Sequence, residues 1–185
     1  YEGQLKEGMP EGQGKMTFGH VYFEGEFKRG YLNGKGKACG TKDNITTCYT
    51  GDHKDMTPHG YGVMEYLNAT YEGEFVLGLK EGKGITKHDD GSIHEGEYKN
   101  DLANGKGIYI DSTSEYRGDF KEGMFHGKGV YIYSEGEYRG DFISNVFDGE
   151  GIIKYNDGNH FKGQFNKGII HGQGIFTWTD GEIYE

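Results

Sequence analysis

The residues best suited to chemistry are two cysteines and two histidines that lie close together in the chain. Cys39, Cys48, His53 and His59 fall within 21 residues, with the spacing C-x8-C-x4-H-x5-H. Thiolate and imidazole groups are the preferred ligands of tetrahedral zinc, although this spacing fits no standard zinc finger. The segment therefore has three candidate states: a structural zinc site, a redox-labile disulfide between Cys39 and Cys48, or two reduced, packed cysteines.

Paired acids are the second chemical candidate. Glu72 and Glu74 could in principle serve as a general acid and base, but similar pairs recur along the chain. The lysines between paired glycines, such as Lys83 and Lys128, favour cross-strand charge pairing on a solvated face instead. The chain has no phosphate-binding loop, H-E-x-x-H or nucleophile-elbow motif. We expect no enzymatic activity.

Composition narrows the classes of partner. The net charge of −10 argues against nucleic acid and disfavours an electrostatic grip on anionic lipid. The chain contains 15 Tyr and 11 Phe, which a disordered chain would lack, so a core of rings and glycines is expected. No apolar run approaches the roughly 20 residues of a membrane helix, and no signal-peptide pattern is present. The expected location is the cytoplasm.

The chain is organised as a repeat of 22 or 23 residues. Each unit opens on a ring followed two residues later by Gly, and a ninth unit begins at Tyr184. One step, of 26 residues, is longer and marks an irregular junction over residues 37–59. The eight units start at Tyr1, Phe23, Tyr49, Tyr71, His94, Tyr116, Tyr138 and Phe161.

Each unit reads as two short strands and a turn. In the segment 116–129, Tyr116 and Phe120 alternate with charged residues, which is typical of a half-buried strand. A turn position usually held by Gly is Asp101 or Asn145 in two units, which predicts positive φ there, whereas Met56 breaks this rule. Glycine every few residues excludes helix, so the chain is predicted to be all-β.

The pattern Y-x-G-x-F-x-x-G-x-x-x-G-x-G of residues 116–129 resembles the MORN (membrane occupation and recognition nexus) repeat, and similar matches cover essentially the whole chain. The resemblance implies one elongated, twisted antiparallel sheet of about eight successive hairpins with a grooved face. Departures are Leu5 and His53 in place of the second ring, and His94 in place of the first.

A stripe of aromatic residues is the candidate groove for a partner's extended segment or helix. The same rings are also the only core available to a one-sheet protein, so the stripe could be purely structural. Its members are Tyr71, Phe75, Tyr98, Tyr116, Phe120, Tyr138, Phe142, Phe161, Phe165 and Trp178.

The resemblance implies a non-catalytic scaffold or adaptor of the cytoskeleton or cell cortex. The chain is most similar to the all-MORN-repeat cytoskeletal scaffolds of protists, which are linked to cell division. Open sheet ends need capping or pairing, so we expect a homodimer that binds cytoskeletal or cortical proteins. The alternatives are a phospholipid-binding module, which the net charge disfavours, and the regulatory arm of a larger enzyme.

Overall fold

The computed structural model describes residues 1–185 and contains seventeen β-strands and no helix. The strands are β1 (Glu2–Lys6), β2 (Met9–Phe18), β3 (Val21–Lys28), β4 (Tyr31–Lys42), β5 (Ile45–Lys54), β6 (Thr57–Glu65), β7 (Ala69–Val76), β8 (Leu79–His88), β9 (Ile93–Lys99), β10 (Leu102–Ile110), β11 (Glu115–Lys121), β12 (Met124–Tyr133), β13 (Gly136–Ile143), β14 (Val146–Tyr155), β15 (His160–Asn166), β16 (Ile169–Thr177) and β17 (Ile183–Tyr184).

The strands form a single open antiparallel sheet in which each strand pairs with its neighbours in sequence. The predicted all-β architecture of successive hairpins is therefore confirmed. No helix is present that could cross a membrane.

The chain divides into two compact units. Unit 1 comprises Tyr1–Asp90 and Tyr98–Asp101, and unit 2 comprises Gly91–Glu97 and Leu102–Glu185. Each unit has its own cluster of buried rings, centred on Tyr71 in unit 1 and on Tyr116 and Tyr138 in unit 2.

The hairpin within each repeat closes through two residues of positive φ. Ser144 and Asn145 have φ of 49° and 71°, as a type I′ turn requires. Met56 also adopts φ of 69°, although it lacks the side chain that suits this conformation. The predicted left-handed turn is thus confirmed at Asp101 and Asn145, and it is present even where the sequence rule fails.

The Gly-x-Gly pair near the start of the second strand lies at a β-bulge. In repeat six the register passes from Gly118–Gly129 directly to Asp119–His126, which leaves Gly127 and Lys128 without partners on β11, although both pair with β13. The Asp119 carboxylate accepts the freed backbone N–H of Lys128 at 3.1 Å. A Cβ on Gly127 would lie 2.9 Å from that carboxylate, so the acid and the glycine form one structural device.

The core of each unit is a ladder of rings on one face of the sheet. Tyr116 meets Phe120 edge-on at 5.2 Å and Phe142 of the next repeat at 5.0 Å. The buried Tyr116 hydroxyl donates a hydrogen bond to the carbonyl of Asp119 at 2.8 Å. Burial raises the pKa of Tyr116 to about 12, since the phenolate would be desolvated.

The junction at 37–59 is a lengthened hairpin. β4 and β5 remain paired from Gly34–His53 out to Lys42–Ile45, and a turn at Asp43 and Asn44 joins them. The extra residues of this 26-residue step therefore extend a regular ladder.

Candidate interaction surface

The predicted groove residues lie mainly beneath the surface. Nine of the ten are at most 6% exposed, and only Trp178, at 40%, is open to solvent. A partner cannot reach rings that the sheet and its hairpins cover. These nine residues belong to the core; they are Tyr71, Phe75, Tyr98, Tyr116, Phe120, Tyr138, Phe142, Phe161 and Phe165.

In unit 2 a second tier of rings covers this core. The tenth residue of each repeat is here called the lid residue. The lids Phe125 and Phe147 stack on Tyr116 and Tyr138 respectively. In both pairs the centroids are 3.8 Å apart and the planes nearly parallel. The outer faces of these half-buried lids are what unit 2 presents.

The lids border a cleft of about 350 Å³. Phe125, Tyr131 and Phe147 supply its aromatic walls, while Asn145 and Gly168 belong to the hairpin turns beside it. Asn145 is held there by two hydrogen bonds with Phe125: it accepts the backbone N–H at 2.7 Å and donates its own N–H to the carbonyl at 3.0 Å. The cleft is therefore apolar, and the hydrogen bonds between Asn145 and Phe125 hold its edge in place.

More rings continue this surface along the ends of the second strands. Tyr131 stacks against Tyr133 at 5.4 Å, and Phe176 packs against Trp178 at 4.8 Å and Tyr155 at 6.1 Å. We call the set the aromatic platform. It consists of Tyr131, Tyr133, Phe147, Tyr155, Phe176 and Trp178.

Unit 1 has a different lid in repeat four. Lys80 takes the lid position, and its ammonium lies 4.7 Å from the Tyr71 ring centroid, 4.9 Å from Tyr66 and 5.8 Å from Tyr98. Burial lowers the pKa of Lys80, while the nearby Asp101 carboxylate opposes that shift. The cation thus replaces an aromatic ring as the cover of the core, through a cation–π contact.

The outer tier of unit 1 is poor in rings elsewhere too. Its other three lids are Pro10, Leu32 and Pro58. The residues at the repeat position of Tyr131 are Met16, Ala38, Met64 and Thr86. An aromatic surface of this kind is therefore a property of unit 2.

The predicted zinc ligands do not converge. Cys39 and Cys48 are directly opposite each other on β4 and β5, and their sulfur atoms form a disulfide. Disulfide sulfurs are not thiolates and do not bind zinc. His53 lies five positions after Cys48 on one strand, so alternation places it on the opposite face. No group of three or more potential ligands, His59 included, is close enough to hold a metal ion.

His53 is part of the core. It is 4% exposed and packs edge-on against Tyr49, with centroids 4.9 Å apart. Its Nδ1 lies 3.1 Å from the carbonyl oxygen of Gly51. Burial lowers the pKa of His53, against smaller opposing effects of the Gly51 carbonyl and Asp52. The histidine serves as the second ring of repeat three.

The charged face carries ion pairs of the expected cross-strand type. Lys106 pairs with Asp119 at 2.5 Å and Lys128 with Asp141 at 2.7 Å. Both lysine side chains are 71% exposed, so each pair contributes little to stability. Of the two acids considered for general acid–base chemistry, Glu74 accepts the backbone N–H of Lys83 at 3.2 Å and Glu72 accepts the hydroxyl of Tyr61 at 3.0 Å.

Sequence reasoning selected the first ring tier and, apart from Trp178, missed the second. A signal for it was available: when the repeats are aligned, the lid position holds Phe only at Phe125 and Phe147. The position of Tyr131 likewise holds rings at Tyr109, Tyr131 and Phe176 but at no site in repeats one to four. The exposure of each tier depends on what covers it, which composition does not reveal.

The fold and this surface define an all-β repeat protein that presents a row of equivalent hairpins. Comparison with family models identifies which repeat it is: the MORN repeat matches residues 1–19, 23–42, 57–68, 71–93, 94–114, 116–137, 138–160 and 161–183. The chain belongs to the MORN repeat family. MORN repeats occur in membrane-associated and scaffold proteins and are generally non-catalytic. A search of curated proteins gives no match.

Proposed function

We propose that this chain is a non-catalytic scaffold that binds partner proteins through the aromatic platform of unit 2. The observation that carries the proposal is the cleft at Phe125, Tyr131 and Phe147, where half-buried rings remain open above a core that is already complete. Aromatic side chains bury large areas on binding, and Tyr and Trp are enriched among the residues that dominate the binding energy of protein interfaces.

Photo-crosslinking tests this proposal. A benzophenone amino acid replaces Tyr131 in the cleft and, as the matched control, Met64 at the same repeat position of unit 1. Both sites are half-buried, so the probe has comparable access. We expect discrete cross-linked partners from position 131 and none from 64. Equal yields from both positions, or none from 131, would contradict the proposal.

The scaffold is proposed to act as a homodimer at the cytoskeleton or cell cortex, on the cytoplasmic side. Support comes from the family, whose members include scaffolds, and from the open strand edges of a one-sheet protein. Light scattering at tens of micromolar protein should give twice the monomer mass. A monomer mass at that concentration would contradict dimerisation.

A second candidate function, lipid binding, has one observation in its favour. The hairpin ends of unit 1 carry exposed apolar residues, including Tyr31 at 54% and Leu77 at 69%, beside Lys28 and Lys54. Mixed apolar and basic side chains suit a membrane surface. Co-sedimentation of the wild type, but not of Leu77→Asp, with phosphatidylserine vesicles would support this role. Absence of binding at both low and high salt would remove it.

A further inference from the structure

The two units differ in charge as well as in rings. Unit 2 has 8 Lys and Arg against 15 Asp and Glu, a net charge of −7, whereas unit 1 has 12 against 15, a net charge of −3. The unit with the exposed aromatic surface is therefore also the more acidic one. This combination constrains the partner, because an acidic surface attracts a basic segment and repels a second copy of itself.

The acids of unit 2 are placed at the margin of the platform. In repeats six to eight an aromatic residue is followed two positions later by an acid, in the turn that leads to the next repeat. The three pairs are Tyr133 with Glu135, Tyr155 with Asp157, and Trp178 with Asp180. Glu135, Asp157 and Asp180 are exposed. The Glu135 charge acts on the Tyr133 hydroxyl, helping to raise its pKa after the larger effects of burial and of Tyr155.

Unit 1 does not repeat this pattern. Its equivalent positions hold Phe18 with His20, Gly40 with Lys42, Tyr66 with Asn68, and His88 with Asp90. None of these four pairs combines a Phe, Tyr or Trp with an acid. The aromatic rows bordered by carboxylates are confined to repeats six to eight.

We propose that the aromatic platform binds a basic, amphipathic peptide segment of a partner protein, and this rests on the proposed function. Apolar side chains of the segment enter the cleft at Phe125 and Phe147. Its Arg and Lys side chains lie over the rings of Tyr133, Tyr155 and Trp178, where a cation gains from the ring face and from the adjacent carboxylate. Binding weakens as salt screens the charges.

Trp178 is the only tryptophan of the chain and lies in the platform, so its fluorescence reports occupancy. The probe is a short synthetic peptide of Arg, Leu and Ser, compared with versions that carry Gln or Glu in place of Arg. We expect the Arg peptide to change the emission with saturation and to weaken between about 50 and 300 mM salt. The Glu peptide should not bind.

Substitution of the three platform acids by their amides tests whether their charges contribute to binding of the Arg peptide. The triple variant Glu135→Gln, Asp157→Asn, Asp180→Asn keeps an acceptor for the backbone N–H groups that Asp157 and Asp180 bind at 2.9 and 3.0 Å, and it loses the bond that Asp157 accepts from the Asn159 side chain at 2.8 Å. Its matched control changes the net charge equally in unit 1. The control substitutions are Glu2→Gln, Glu7→Gln and Asp43→Asn. The first triple should weaken the Arg peptide about three- to tenfold and the control less than about twofold, with both melting temperatures unchanged.

Four outcomes decide the inference. Equal weakening by both triples, equal binding of the Gln peptide, or no binding of the Arg peptide up to about 1 mM would overturn it. A response of Trp178 to phosphatidylserine vesicles but not to the Arg peptide would also overturn it. Equal binding of the Gln peptide would leave the proposed function standing, because the cleft would still take a peptide. Failure of the cross-linking at position 131 would remove both.

Discussion

Repeat four in unit 1 and repeat seven in unit 2 solve the same packing problem with different lids. Both bury a tyrosine completely, Tyr71 in one and Tyr138 in the other. Over Tyr71 lies the ammonium of Lys80, and over Tyr138 lies the ring of Phe147. The buried first ring is the same in these two repeats, so the lid residue above it can differ. The difference separates a position that maintains the fold from one that can acquire a function.

Removal of the lids should give the largest difference between the units. Phe147→Ala should lower the free energy of unfolding by about 3 kcal/mol, since Phe147 also packs against Phe142 and Phe165. Lys80→Ala should cost only about 1 kcal/mol, because the lost cation–π contact is partly offset by relief of a desolvated charge. Urea denaturation of both variants measures this. Equal losses would show that the two lids are energetically equivalent.

Adding a side chain to the glycine that contacts the first ring should, by contrast, destabilise both units equally. A Cβ on Gly84 would lie 2.3 Å from the Tyr71 hydroxyl oxygen, and one on Gly151 would lie 2.4 Å from the Tyr138 ring. Gly84→Ala and Gly151→Ala should each destabilise by about 2 kcal/mol through overpacking.

Gly40→Ala is the control for those two variants. A Cβ on Gly40 would meet no atom within 4 Å, and Gly40 does not have a positive φ. It should stabilise by about 0.5 kcal/mol. Thermal melts of the three variants would contradict the shared-core interpretation if the losses at Gly84 and Gly151 differed several-fold.

Acid should weaken the packing around His53 in unit 1 through a residue that no repeat of unit 2 carries at that position. Because the folded state lowers the pKa of His53, the unfolded chain binds the proton first as pH falls. The stabilisation is present above pH 6.5 and is lost progressively below it. His53→Phe should flatten stability between pH 7 and 5, as measured by denaturation at several pH values. A wild-type slope that persists in the variant would refute this assignment.

The smallest effect concerns a turn. Leu77 is 69% exposed and holds φ of 52°, which costs energy for a bulky side chain. Leu77→Asn should therefore stabilise by about 0.5–1 kcal/mol, and Ser144→Asn should do the same at the equivalent turn of unit 2 by a smaller amount. Melting temperatures of the two variants test this, and destabilisation by Leu77→Asn would contradict it.

Much of the fold could be predicted from the sequence because the repeat sums weak signals. The positions of the period-2 rings, the glycine pairs and the turn residues each occur in eight repeats, so an exception such as Met56 leaves the prediction intact. The zinc candidate failed for the opposite reason. Cys39, Cys48, His53 and His59 occur once, and proximity in sequence says little about which face a side chain occupies. Cys48 and His53 are an odd number of positions apart along one strand, so they lie on opposite faces, and this observation would have weakened the zinc prediction.

By itself the sequence determined that this chain forms antiparallel hairpins, since strand alternation and turn geometry are local properties of a few residues. The tertiary structure alone decided which rings are buried and which remain accessible. Phe120 and Phe125 are both phenylalanines in one hairpin, yet only the first is in the core, at 5% exposure. Burial depends on the neighbouring repeat, which supplies the covering atoms. Which surface a partner can touch is therefore set by packing between repeats.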